Sequence, residues 1–189
     1  MQTKLVTLAN GVDLARLNET VDRVKKSPEA ASFQFRLRNR WIDCGENRSE
    51  VQSFSAGGKE IERERGFTLM ADEPEVLLGS DRAANPVEHL LHALASCITT
   101  SMVYHAAARG ITIQQVESTL EGDLDLRGFL GLHPNVRKGY ESIRLTLRIQ
   151  ADVTDEQFKE LSLLGPTFSP VYDSIARGVC IAVSAERMA

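Results

Sequence analysis

Residues 85–110, NPVEHLLHALASCITTSMVYHAAARG, constrain the fold of this chain more than any other stretch. Asn85 is a good N-cap, Pro86 suits the first helical position, and Glu88 stands where its carboxylate can reach back to the cap amide. Gly110 suits the left-handed conformation that ends helices. The spacing predicts a helix of about 24 residues, roughly 36 Å long. Because it is apolar nearly all round, it reads as a buried helix that the rest of the chain must cover. His89, His92, His105 and several hydroxyls interrupt it, which argues against a membrane span.

The covering elements read mostly as strands. Phe33, Phe35, Leu37 and Trp41 alternate with Gln34, Arg36, Arg38 and Arg40, the period of a half-buried strand whose apolar side is a core face. Val116 to Arg127 alternates in the same way, with Leu120, Leu124 and Leu126 opposed to Glu117, Glu121, Asp123, Asp125 and Arg127. Ile143, Leu145, Leu147 and Ile149 form a third such face, opposed by Arg144 and Arg148. The arginine stripes raise the question of phosphate tracking. The acidic strand offers cross-strand partners and few aromatics interleave, so a solvated sheet face is the better reading.

Three helices complete the pattern. Val12 to Lys26 is one amphipathic helix stopped by Ser27-Pro28, Thr154 to Gln157 is a capping box whose helix stops at Gly165-Pro166, and Ser169-Pro170 caps a short helix closed by Gly178. An apolar strand, Val179 to Val183, is expected last. The fold class is therefore α+β and largely antiparallel. The division is an N-terminal helical extension, residues 1–30, and a main domain, residues 31–189.

Composition narrows the function. The 189 residues carry 22 Lys+Arg against 26 Asp+Glu, a net charge of -4, which argues against a protein that coats nucleic acid. The start, MQTKLVTLANGVDLARL, has no readable secretory signal, so a cytoplasmic location is expected. There Cys44, Cys97 and Cys180 would stay reduced. Cys97 lies mid-helix, where free cysteine commonly acts as a small hydrophobe, and a reactive thiol would need a cation from another element. His89 and His92 lie three apart, but Cys97 is about 140° around the helix from His92, so no metal site is expected. No phosphate loop, dinucleotide fingerprint, nucleophile elbow or Cys-x-x-Cys pair occurs, and no cofactor is expected.

The run NPVEHLLHALASC, with the helix end at Arg109-Gly110-Ile111, resembles the first-cysteine helix of the OsmC/Ohr family, the osmotically inducible and organic hydroperoxide resistance proteins. RWIDCGENRSEVQSF, ADEPEVLLGSD, EGDLDLRGFLGL and SPVYDSIARGV agree with it in order, over about residues 33–185. The resemblance implies an intertwined homodimer, with sheets wrapped around long central helices and sites at the subunit interface. It implies Cys97 as the peroxidatic thiolate, Arg48 as its stabilising arginine and Glu88 as the candidate for the glutamate that orients the arginine. Two positions depart: Val87 directly follows Asn-Pro where the family's peroxidases have that glutamate, and Ser169 replaces their second cysteine. Without that cysteine, Cys44, Cys180 or an external thiol reductant would have to resolve the oxidised Cys97. The expected function is a thiol-dependent organic hydroperoxide reductase. The alternative is a non-catalytic protein that binds a small hydrophobic ligand in the same dimeric pocket.

Overall fold

The computed structural model describes residues 8–188, which form two compact units, one ending at His92 and the other beginning at Ala93. The architecture is α+β with antiparallel sheets. In the first unit a hairpin of β1 (Leu8–Ala9) and β2 (Val12–Asp13) turns through Asn10 and Gly11, both at positive φ. That pair is the signature of a mirror-image hairpin turn. The predicted first helix therefore begins later, as α1 (Leu14–Lys26), because Asp13 leaves the strand as N-cap and its carboxylate accepts from Arg16 N.

Six strands follow: β3 (Phe33–Gln34), β4 (Leu37–Asp43), β5 (Glu46–Val51), β6 (Phe54–Ala56), β7 (Lys59–Ile61) and β8 (Phe67–Ala71). They make two three-stranded antiparallel sheets, β3-β6-β7 and β4-β5-β8. The alternation seen from Phe33 to Trp41 is thus divided between two strands in different sheets. In the second sheet, Leu37, Val51 and Phe67 stand opposite one another on one face, with Trp41, Asn47 and Ala71 further along it. The other face carries Arg38, Arg40, Arg48, Glu50 and Met70. The expectation of a core face is corrected here: Leu37 is 54% exposed, Trp41 65% and Phe67 54%. Of residues 8–92, Val12 and Asp72 alone are buried.

The long helix is α2 (Pro86–Ala108), and its start is the reciprocal cap read from sequence: Asn85 N donates to Glu88 Oε2 at 2.8 Å and Glu88 N to Asn85 Oδ1 at 2.9 Å. Burial is narrower than its composition suggests. Leu94, Ile98, Met102, Ala106 and Ala107 are buried, while Tyr104 is about half exposed. A single chain covers only that stripe.

The second unit continues with β9 (Ile113–Asp123), α3 (Leu126–Phe129), β10 (Ser142–Ala151), α4 (Asp155–Phe168) and α5 (Pro170–Arg177). The strand expected to reach Arg127 ends at Asp123, because Asp125 caps α3 by accepting from Arg127 N. β9 and β10 pair over nearly their whole length, bringing Arg144 opposite Glu121 and Arg148 opposite Glu117. Arg144 also grips Asp123, whose pKa is held down at about 2 mainly by that guanidinium and then by Ser142. On this sheet the expected cross-strand partners are present. The core gathers Met102, Ala106, Ile111, Leu161 and Leu164, with Val116 and Ile149 of the sheet packed against them.

Two expectations at the C-terminal end are corrected. α4 runs past Gly165-Pro166 to Phe168, since a proline in the last turn removes one ladder bond and Ser169 N still closes on Gly165 O at 3.0 Å. Residues 179–183 form no strand, and Val179, Ile181 and Val183 are exposed. They pair with no strand among the described residues, and an apolar alternation becomes a strand only beside a neighbour.

Gly165 sits where α4 meets α2. A Cβ there would lie 2.7 Å from Ile98 Cγ2 and 2.9 Å from Ile98 O. Gly165→Ala is expected to destabilise the protein by about 1–2 kcal/mol in urea unfolding, the overlap outweighing alanine's helix preference. A stability gain would show that the helices are free to separate.

Candidate functional site

Cys97 is half-buried and lies one residue before Ile98. On α2 it borders the stripe of Leu94, Ile98 and Met102 rather than lying in it, on the same side as Ser101 and Tyr104. Ser101 Oγ donates to Phe168 O at 3.3 Å, tying that side of α2 to the end of α4. Among the described residues of its own unit, none forms a hydrogen bond with the Cys97 thiol.

Over Leu94 and Ile98 of the stripe an apolar cleft of about 350 Å³ opens between α2, β10 and the two C-terminal helices, lined also by Leu145, Tyr172 and Ile175. Its lining is suited to an apolar ligand rather than a charged one. At the α4–α5 junction Ser169 is buried, with its hydroxyl accepting from Tyr172 N at 3.1 Å. One turn beyond Ser101, His105 stacks on Phe168 at 3.7 Å between ring centres. Burial and the neighbouring Arg109 lower its pKa, so the ring stays neutral near pH 7.

In the first unit Arg48 stands on β5, exposed and directly opposite Arg40. Glu88 is nine residues before Cys97, about 180° away around an ideal helix, and its carboxylate is engaged at Asn85 N. Sequence reasoning missed the buried carboxylate nearby. Asp72 follows β8 and accepts from three backbone amides, Glu73 at 2.8 Å, Ser80 at 3.1 Å and Arg82 at 3.2 Å. Those bonds, with that from Arg82 foremost, hold its pKa below the usual carboxylate value. The signal was the turn-rich run after β8, which the alternation rules pass over.

Beside it Glu73 is half-buried, and its pKa is raised first by burial and then by the charges of Asp72 and Glu88. Cys44, at positive φ, donates its thiol to Leu78 O at 3.0 Å across the same loop. Cys44, Cys97 and Cys180 are all free thiols. Among the described residues, no cluster of His, Cys, Asp and Glu is placed to hold a metal ion, and no helix is long and apolar enough to cross a membrane.

The model of the OsmC-like protein family matches residues 79–184, more than half of the chain. The chain belongs to the OsmC family. Its fold is similar to that of an OsmC-like protein from Mycoplasma pneumoniae, with 17% identity, 76% of this chain and 87% of the other covered, and a TM-score of 0.57. An OsmC-like protein of unknown function from Vibrio cholerae is similar at 14% identity, with 75% and 92% covered and a TM-score of 0.56. A weaker likeness, with a TM-score of 0.48, is to an organic hydroperoxide resistance protein from Legionella pneumophila, at 16% identity with 75% and 88% covered. No curated protein sequence matches the chain significantly.

The family match includes Cys97 and Ser169 and begins beyond Arg48. Within this OsmC-like chain, Ser169 has a structural duty of its own as the N-cap of α5, with Pro170 at the first helical position. Removing its hydroxyl would leave the Tyr172 amide in the first turn of α5 without that partner. Ser169→Ala is expected to cost about 1 kcal/mol, read as a lower urea midpoint. An unchanged midpoint would mean that water replaces the hydroxyl at no loss.

Proposed function

We propose that this OsmC family member is a thiol-dependent organic hydroperoxide reductase, with Cys97 as nucleophile and Arg48 as the cation that favours its thiolate. The observation that carries the reading is the position of Cys97 on the rim of the buried stripe. A cysteine serving only as a small hydrophobe belongs at a position like Ile98 or Met102, which are fully enclosed. A half-buried sulfur keeps access to a substrate. Glu88 acts in this scheme from its capping position at the start of α2, one place later than the family's glutamate.

The thiolate attacks the outer oxygen of the hydroperoxide, the O–O bond breaks, and the leaving alkoxide takes a proton to become an alcohol. Cys97 is left as a sulfenic acid. Since Ser169 offers no thiol, an external thiol condenses with the sulfenic acid, releasing water and leaving a mixed disulfide. A second equivalent then restores Cys97 and departs as a disulfide. The cycle is a two-electron exchange between sulfur and oxygen and calls for no cofactor. A reducing cytoplasm is the compartment that supplies such thiols.

The proposal includes a homodimer. A sheet that leaves Leu37, Trp41 and Phe67 exposed on one face, in a unit with almost nothing buried, needs apolar cover from another surface. The second copy supplies it, and the N-terminal segment, residues 1–30, is an extension outside the shared core. Light scattering at micromolar concentration should return twice the chain mass, and a monomer would remove the intertwined architecture.

The apolar cleft favours a second reading, a non-catalytic protein that holds a small hydrophobic ligand there. One experiment separates the two. After brief exposure to an organic hydroperoxide, a sulfenic-acid trap should label Cys97 ahead of Cys44 and Cys180, and Arg48→Ala should slow that labelling about tenfold. An unlabelled Cys97, or equal rates with and without Arg48, would leave the binding protein as the reading that stands.

A further inference from the structure

Acidic cross-strand partners are the expectation for the arginines of β4, and the register supplies one to Arg38, in Glu50, but none to Arg40. β4 pairs with β5 so that Arg40 faces Arg48 directly, and Arg38 is one pleat away on the same face. In antiparallel strands directly opposed residues have Cα atoms about 4.5–5.5 Å apart, close enough for like charges to repel. Among the described residues, none of the three guanidiniums makes an ion pair or a side-chain hydrogen bond. Arg36, by contrast, is held by Glu60 at 2.6 Å.

Two carboxylates share the face on β5, Glu50 opposite Arg38 and Glu46 one pleat beyond Arg48, but Glu46 pairs with Arg82 at 3.8 Å, so among the described residues neither Arg40 nor Arg48 has a carboxylate partner. A shallow cleft of about 100 Å³ lies among these side chains, lined by Arg38, Asn39, Arg40, Ile42, Arg48 and Glu50. Two apolar residues flank the arginine pair: Ile42 lines the cleft on β4, and Met70 of β8 stands opposite Arg48, both partly exposed.

We propose that this face is a binding site for an organic oxyanion, its charged group between Arg40 and Arg48 and its apolar stem along Ile42 and Met70. Two planar forks of N–H donors on neighbouring strands match the oxygens of a carboxylate or a phosphate ester, and an anion between them turns mutual repulsion into attraction. The cleft has room for the head group alone, so the stem must lie on the surface. The site shares Arg48 with the chemistry proposed for Cys97, but the binding requires neither peroxide nor thiol.

Calorimetric titration of the full chain with octanoate and with octyl phosphate tests it, and the tighter of the two identifies the head group. The preferred anion should bind about tenfold more weakly to Arg40→Gln, and more weakly as salt is raised. Glu50→Gln should tighten binding a few-fold by removing the opposing charge. Both variants change exposed side chains, and Arg40→Gln also removes a like-charge contact, so each should fold. The proposal is overturned if neither anion binds, if the neutral octanol binds as tightly, or if Arg40→Gln binds as the parent does.

Discussion

An amphipathic sheet must put its apolar face against something, and the first unit of this chain has little of its own to offer. Its two buried residues are a hairpin valine and a carboxylate, while the large side chains of β4 and β8 stay open. Burial is the main favourable contribution to folding, worth about 25 cal/mol for each Å² of apolar surface removed from water. The stability of this unit therefore depends on a surface supplied from outside it. The proposed dimer answers that need, and it also accounts for a long helix that is apolar on more sides than the chain covers.

The second unit solves the problem internally. The stripe on α2 meets α4 where Gly165 allows the two backbones to approach, and β9 and β10 close the other side over Val116 and Ile149. Ion pairs of the outer sheet face add little, because exposed pairs such as Arg144 with Glu121 are screened by water. They are nevertheless informative about register. Where β9 meets β10 each arginine finds a carboxylate opposite, and where β4 meets β5 an arginine finds another arginine.

Local signals were the legible part of the sequence. The caps at Asn85, Thr154 and Ser169 involve residues three apart, so a reader needs no knowledge of the fold to see them, and each is present. The hairpin at Asn10-Gly11 was equally local but was absorbed into the helical pattern of Val12 and Leu14. Non-local facts were not legible. Alternation in Phe33–Trp41 shows which residues share a face, but whether that face is covered depends on what packs against it. The same holds for Val179–Val183, which has the pattern of a strand and no neighbour. The family's motifs located Cys97, whereas Asp72 escaped notice because its partners are backbone amides up to ten residues away.

Asp72 gives the loop after β8 a particular character. Three amides spread from residue 73 to residue 82 converge on one carboxylate, and Gly79 packs against the backbone of Glu73 at a distance that no side chain could share. The tip of this loop presents Val76 and Leu78 to solvent, yet its base is closed by Asp72 and by Asp81 N on Glu73 O at 3.1 Å, and Cys44 holds Leu78 O. Such a loop opens in one event rather than fraying from its tip. Amide exchange at Glu73, Ser80 and Arg82 would then share one opening free energy, and a protease would meet a closed ring instead of an extended strand.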